Sequence, residues 1–104
     1  MPSGGHLFAA MGSWTQAQAD RADVMVRLRA PTTRYPKNSA GVELETVGAL
    51  GQVTLWDSGE CETDLGSKTD PDRTLIRSGQ VSTPEEVAAV LDSAVEFAIQ
   101  LSRG

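Results

Sequence analysis

From Thr83 onward the chain repeats apolar residues at the three-and-four spacing of one helical face. Val87, Val90, Leu91, Ala94, Val95, Ala98 and Leu101 fall in that stripe, while Glu85, Asp92, Glu96 and Gln100 lie mostly outside it. Thr83 is placed to act as N-cap, Pro84 takes the first helical position and Glu86 completes a capping box. The pattern predicts an amphipathic helix that must lay its stripe on another layer. Near the N-terminus, Ser13 with Gln16 can form a second capping box that opens a helix through about Arg21. Leu7, Phe8 and Met11 could extend that helix backwards, so its start stays open.

Between these helices the period changes from three-to-four to two. Val24 to Arg29 alternates as a half-buried strand whose outward residues are Met25, Arg27 and Arg29, and Pro31 ends it. APTTRYPKNS, residues 30 to 39, reads as a loop. Strands are expected over Gly41 to Val47, Leu50 to Trp56 and Glu60 to Gly66. A fourth follows the Asp70-Pro71-Asp72 turn, from Thr74 to about Arg77.

Residues opposite each other on antiparallel strands share a face, so the apolar pattern selects the loops. A two-residue turn at Gly48-Ala49, with the glycine first as type II′ prefers, sets Leu44 against Val53 and Val42 against Leu55. A two-residue loop at Ser58-Gly59 would bring Glu62 onto the apolar face. The three-residue loop Asp57-Ser58-Gly59, with a left-handed glycine, instead pairs Leu55 with Cys61 and Val53 with Thr63. Trp56 then faces Glu60, Thr54 faces Glu62, and Gly41 lies opposite Trp56, leaving space beside the indole. Glu43, Glu45, Glu60, Glu62, Asp64 and Trp56 emerge on one side. The expected architecture is α+β: an antiparallel meander sheet of four or five strands, with an N-terminal and a C-terminal helix packed on its apolar face.

Charge sharpens this picture. Residues 38 to 67 hold six acids and no base, so this segment alone carries −6, more than the −5 of the whole chain. Like charges on neighbouring strands cost stability, and selection for stability alone would tend to intersperse lysine. A solvated face partly neutralised by Arg27 and Arg29 is the plain alternative. Trp56 could equally be covered by the N-terminal segment or a turn, while Trp14 suits core or helix-to-sheet packing. An acidic balance, with pI near 4.7, argues against attraction to nucleic acid or anionic membranes. At 104 residues the chain is expected to form a single domain over 1–104, with residues 1–5 disordered. One cysteine excludes an internal disulfide and fits a reducing compartment, the cytoplasm.

Catalytic motifs are scarce. His6 is the only histidine and cannot build a metal cluster with Cys61 alone, a residue that reads as small core filling. No GxSxG is present, and Gly66-Ser67-Lys68-Thr69 lacks the glycines of a phosphate loop. Neither a cofactor nor a catalytic set is expected. A pair such as Glu60 with Glu62 could in principle act as acid and base, but a flat exposed face is a poor setting for tuning carboxylates to that work.

The stretches AGVELET, GQVTLWDSGECETDLGS and STPEEVAAVLDSAVEFA resemble those of bacterial polymorphic-toxin immunity proteins, and most closely the immunity protein TriTu family. There a strand pair ending in a WxSGEC-like turn, matched here by Trp56, Ser58, Gly59, Glu60 and Cys61, precedes an acidic strand and a C-terminal helix. The resemblance covers about residues 35 to 98. It implies a non-enzymatic protein that binds and neutralises a toxin, with a basic toxin domain as partner. Trp56 would anchor the contact, and Glu43, Glu45, Glu60, Glu62 and Asp64 would supply the field. Two other classes stay open: a homodimerising or adaptor module, and an enzyme with an unrecognised carboxylate site.

Overall fold

Seven elements follow one another in the computed structural model, which describes residues 5–32 and 38–103. They are α1 (Gly5–Ala17), β1 (Met25–Thr32), β2 (Ser39–Glu45), β3 (Ala49–Trp56), β4 (Glu60–Ser67), β5 (Thr74–Gln80) and α2 (Pro84–Ser102). The strands form one antiparallel meander in the order β1-β2-β3-β4-β5, and both helices lie on the same face, as the α+β expectation had it.

α2 begins as its sequence dictates. The Thr83 hydroxyl accepts from the Glu86 amide, the Glu86 carboxylate accepts from the Thr83 amide, and Pro84 starts the first turn. Val87, Leu91, Ala94, Val95 and Ala98 are buried from its apolar stripe. α1 starts earlier than a Ser13 cap would place it. Leu7, Met11 and Trp14 are buried at i, i+4 and i+7, and that stripe carries the helix back to Gly5, leaving Ser13 exposed inside it. Gly5 is therefore helical, and the expectation of disorder for residues 1–4 lies outside the described residues. Trp14 packs between the helices, 7% exposed, with its Nε1–H donating to Asp92 Oδ1 at 2.9 Å.

Pro31 does not end β1. The strand continues to Thr32, with its register shifting between Arg29 and Thr32. An edge strand tolerates a residue without an N–H, and β1 is an edge. The expected loop at 30–39 is thus shortened at both ends, and residues 33–37 of it lie outside the described residues.

The β3–β4 register matches the three-residue loop. Leu55 pairs with Cys61, Val53 with Thr63 and Thr54 with Glu62, and Gly59 takes φ +92 as the turn requires. The β2–β3 register differs from expectation by two residues. Val42 pairs with Val53 and Ala40 with Leu55, and the turn sits at Val47-Gly48, where no positive φ occurs, so it is not type II′. Thr46 explains the shift: its Oγ1 accepts from the amides of Gly48 and Ala49 and meets the Ser102 hydroxyl at the end of α2. A slip of two preserves side-chain parity, so Val42, Leu44, Val53 and Leu55 still line the buried face.

Candidate functional site

On the face away from the helices, the registers stack successive rows of side chains, each two residues further along the strands. One row reads Met25, Glu45, Leu50, Gly66 and Thr74; the next reads Arg27, Glu43, Gln52, Asp64 and Ile76. A third holds Arg29, Gly41, Thr54, Glu62 and Ser78. At the far end Ser39 lies opposite Trp56, and Glu60 opposite Gln80. The six residues singled out by parity thus share this face, but not one cluster. Rows repeat every ~7 Å, so Trp56 and Glu45 stand about 20 Å apart at opposite ends.

Trp56 is half-buried and sits beside the turn, with Ser39, Thr54 and Glu60 as its neighbours by register. Gly41 is not the vacancy beside the indole. It pairs with Thr54, and the Arg29 guanidinium lies over it, with Nη2 only 2.5 Å from where a Cβ would stand.

The acids divide into two sets. Glu43 meets Arg27 Nε at 3.3 Å, and Glu45 meets Lys68 Nζ at 2.5 Å. The Lys68 ammonium, through its hydrogen bond and its charge, holds the Glu45 carboxyl below the usual carboxylate range. Arg27 as a neutralising neighbour follows from alternation along β1. Lys68 does not, because its position depends on its amide donating to the Gly48 carbonyl across the ends of two hairpins. On β4, Glu62 and Asp64 are exposed, and among the described residues no ion pair reaches either. Ser58 Oγ donates to Glu60 Oε1 at 3.0 Å.

Apolar side chains on this face exceed the sequence expectation. Met25, Leu50 and Ile76 are 67%, 53% and 68% exposed; Met25 and Leu50 line a shallow groove of about 530 Å³ whose wall includes Asp64, the register partner of Ile76. Met25 was legible as outward. Leu50 was not singled out, although it shares the parity of Gln52 and Trp56. Among the described residues no three acids, histidines or cysteines converge as metal ligands. Cys61 is buried against the core, and that burial pushes its thiol pKa up, which suits an inert side chain rather than a nucleophile.

The sequence model of a family described as Immunity protein TriTu matches residues 9–97. The match extends through most of α1 and all of β1, well before the stretch where the motif around Trp56 carries the likeness. No curated protein matches the chain. No helix among the described residues is long and apolar enough to cross a membrane.

Proposed function

Because the chain belongs to the TriTu immunity protein family, which gives it an immunity role and a protein toxin as partner, we propose that it neutralises that toxin without catalysis, by docking its outer sheet face onto a basic surface of the toxin in the cytoplasm. The supporting observation is the division of the sheet. Both helices occupy one face, and the other carries Glu62 and Asp64 without an ion-pair partner among the described residues, next to exposed Leu50 and Ile76. Apolar area surrounded by one sign of charge suits recognition: charge speeds encounter, and apolar contacts hold the complex. Trp56 and Glu60 continue the surface at its far end, while Glu43 and Glu45 contribute through pairs that a toxin cation can share.

The test is coexpression with the cognate toxin domain, followed by titration of the purified pair over a range of salt. Rescue of growth together with salt-sensitive association supports the reading. Rescue by a variant with Leu50→Glu, Glu62→Lys and Asp64→Lys combined, at parental affinity, would remove the outer face from the interaction.

A further inference from the structure

β5 closes the meander, and among the described strands only β4 pairs with it. Its hydrogen-bond parity follows from the two ends of the ladder. The Ser67 amide donates to the Arg73 carbonyl at 2.9 Å, and the Val81 amide donates to the Gly59 carbonyl at 2.8 Å. In an antiparallel ladder hydrogen-bonded pairs recur every second residue, so Leu75, Arg77 and Gly79 turn their backbone groups toward β4. Thr74, Ile76, Ser78 and Gln80 therefore present N–H and C=O outward. Exposed edges are usually blunted by proline or charge. β1 has Pro31, Arg27 and Arg29 and lies beside α1, whereas Thr74–Gln80 has no proline, and its one charged side chain, Arg77, is drawn over the Phe97 ring at 4.8 Å.

A second feature adjoins that edge. α2 leans on β2, β3 and β4, and beside it a cleft of about 190 Å³ opens toward β5, lined by Thr63, Leu75, Arg77, Val90, Ser93 and Phe97. Leu75, Val90 and Phe97 are only partly buried there. A strand added outside β5 would direct alternate side chains over this cleft. Its remaining side chains would lie on the outer face beside Ile76 and Ser78, about 10 Å, two strand spacings, from Asp64 and Glu62. An arginine or lysine spans that distance.

We propose that the free edge of β5, with the cleft beside α2, accepts an extended segment of the partner protein in which apolar and basic residues alternate. Main-chain bonds to Ile76 and Ser78 would supply register, the cleft would take an apolar side chain, and Glu62 and Asp64 would take the cations. A second copy of this chain fits less well. Its own β5 brings isoleucine and serine to the outer side, no cation for those carboxylates, and another net charge of −5. The assignment rests on the docking reading above and adds to it a particular edge and a strand conformation.

The experiment is amide hydrogen exchange by NMR on the full chain, alone and with three probes: the toxin domain that the chain neutralises in coexpression, a synthetic peptide alternating valine and lysine, and one alternating valine and glutamate. Exchange at Ile76 and Ser78 should slow at least tenfold with the toxin and with the valine–lysine peptide, and be unchanged with the valine–glutamate peptide. Ser78→Pro removes an outward amide and spares the β4 ladder, so it should weaken toxin binding at least tenfold. Ser93→Phe, which fills the cleft from exposed helix surface, should do the same and covers the case in which the proline variant does not fold. A neutralised toxin with unchanged exchange at Ile76 and Ser78 overturns the strand assignment and leaves the docking reading standing. Protection that rises with the concentration of the chain alone assigns the edge to self-association and also overturns it. Absence of any toxin complex overturns both.

Discussion

Gly51 and Gly66 lie in neighbouring strands of the face-defining hairpin, opposite Leu65 and Leu50 respectively, yet adding one methyl to each should have opposite effects. A Cβ on Gly51 would collide with the Asp64 carbonyl oxygen and stand 2.7 Å from Leu65 Cα, both backbone atoms of β4. Neither can move without separating β3 from β4. Overpacking costs about 1–3 kcal/mol, and each ladder hydrogen bond lost in the separation adds about 1 kcal/mol. Gly51→Ala should therefore cost about 3 kcal/mol or more, a fall in Tm of roughly 15 °C for a chain of this size. A Cβ on Gly66 meets only Thr74 Cγ2, at 3.8 Å, in ordinary contact. There the reduced freedom of the unfolded chain dominates, and Gly66→Ala should stabilise by about 0.4–1 kcal/mol. Urea unfolding of both variants and the parent at neutral pH reads the difference. A Gly51→Ala variant within about 1 kcal/mol of the parent would show that the strands are not held at this spacing, and the reasoning about faces would fall with it.

Trp56→Ala should weaken toxin binding by about 2 kcal/mol, roughly 30-fold, while costing less in stability than in affinity; calorimetric titration beside thermal unfolding checks this. Glu62→Lys combined with Asp64→Lys should slow association and flatten its salt dependence, seen in stopped-flow mixing, with dissociation changing less. Lys68→Met removes the partner that lowers the Glu45 pKa. A depressed carboxylate pKa contributes stability above its unfolded value and loses that contribution as pH falls through the folded one. The variant should thus be less stable than the parent at pH 7, and the difference should shrink as pH falls below the usual carboxylate range, as urea midpoints across pH will show.

What the sequence made legible was local or periodic. Thr83, Pro84 and Glu86 announce α2 because a capping box is contained within four residues, and Gly59 announces its loop because only one loop length keeps Glu62 out of the core. Two features depended on distant partners and stayed hidden. Thr46 fixes the β2–β3 turn partly by meeting Ser102, 56 positions away, and Lys68 reaches Glu45 across 23 positions. The start of α1 stayed open in the sequence because a capping pattern at Ser13 competed with backward extension through Leu7 and Met11, and burial of Leu7, Met11 and Trp14 decided for the extension. The carboxylates were correctly assigned to one face, since parity survives a slip of two. Their partition into paired Glu43 and Glu45, and Glu62 and Asp64 with no ion pair among the described residues, required the register itself.

That same slip leads to a prediction about Thr46. Placing the turn one residue later would still bury Val42, Leu44, Val53 and Leu55, so hydrophobic burial alone does not choose between the two registers. The choice falls to a side chain that is 6% exposed and whose Oγ1 accepts from Ala49 at 3.0 Å and Gly48 at 3.3 Å. Thr46→Val keeps the shape and removes the hydroxyl, leaving the Ala49 amide in a fully buried residue without that acceptor. An unsatisfied buried donor costs about 1–3 kcal/mol. The variant should lose about 2 kcal/mol in urea unfolding, and part of its population should shift to the alternative pairing, with nuclear Overhauser contacts of Val53 divided between Val42 and Leu44 across the strands. A loss under about 0.5 kcal/mol with all contacts retained at Val42 would mean that something other than Thr46 sets this register.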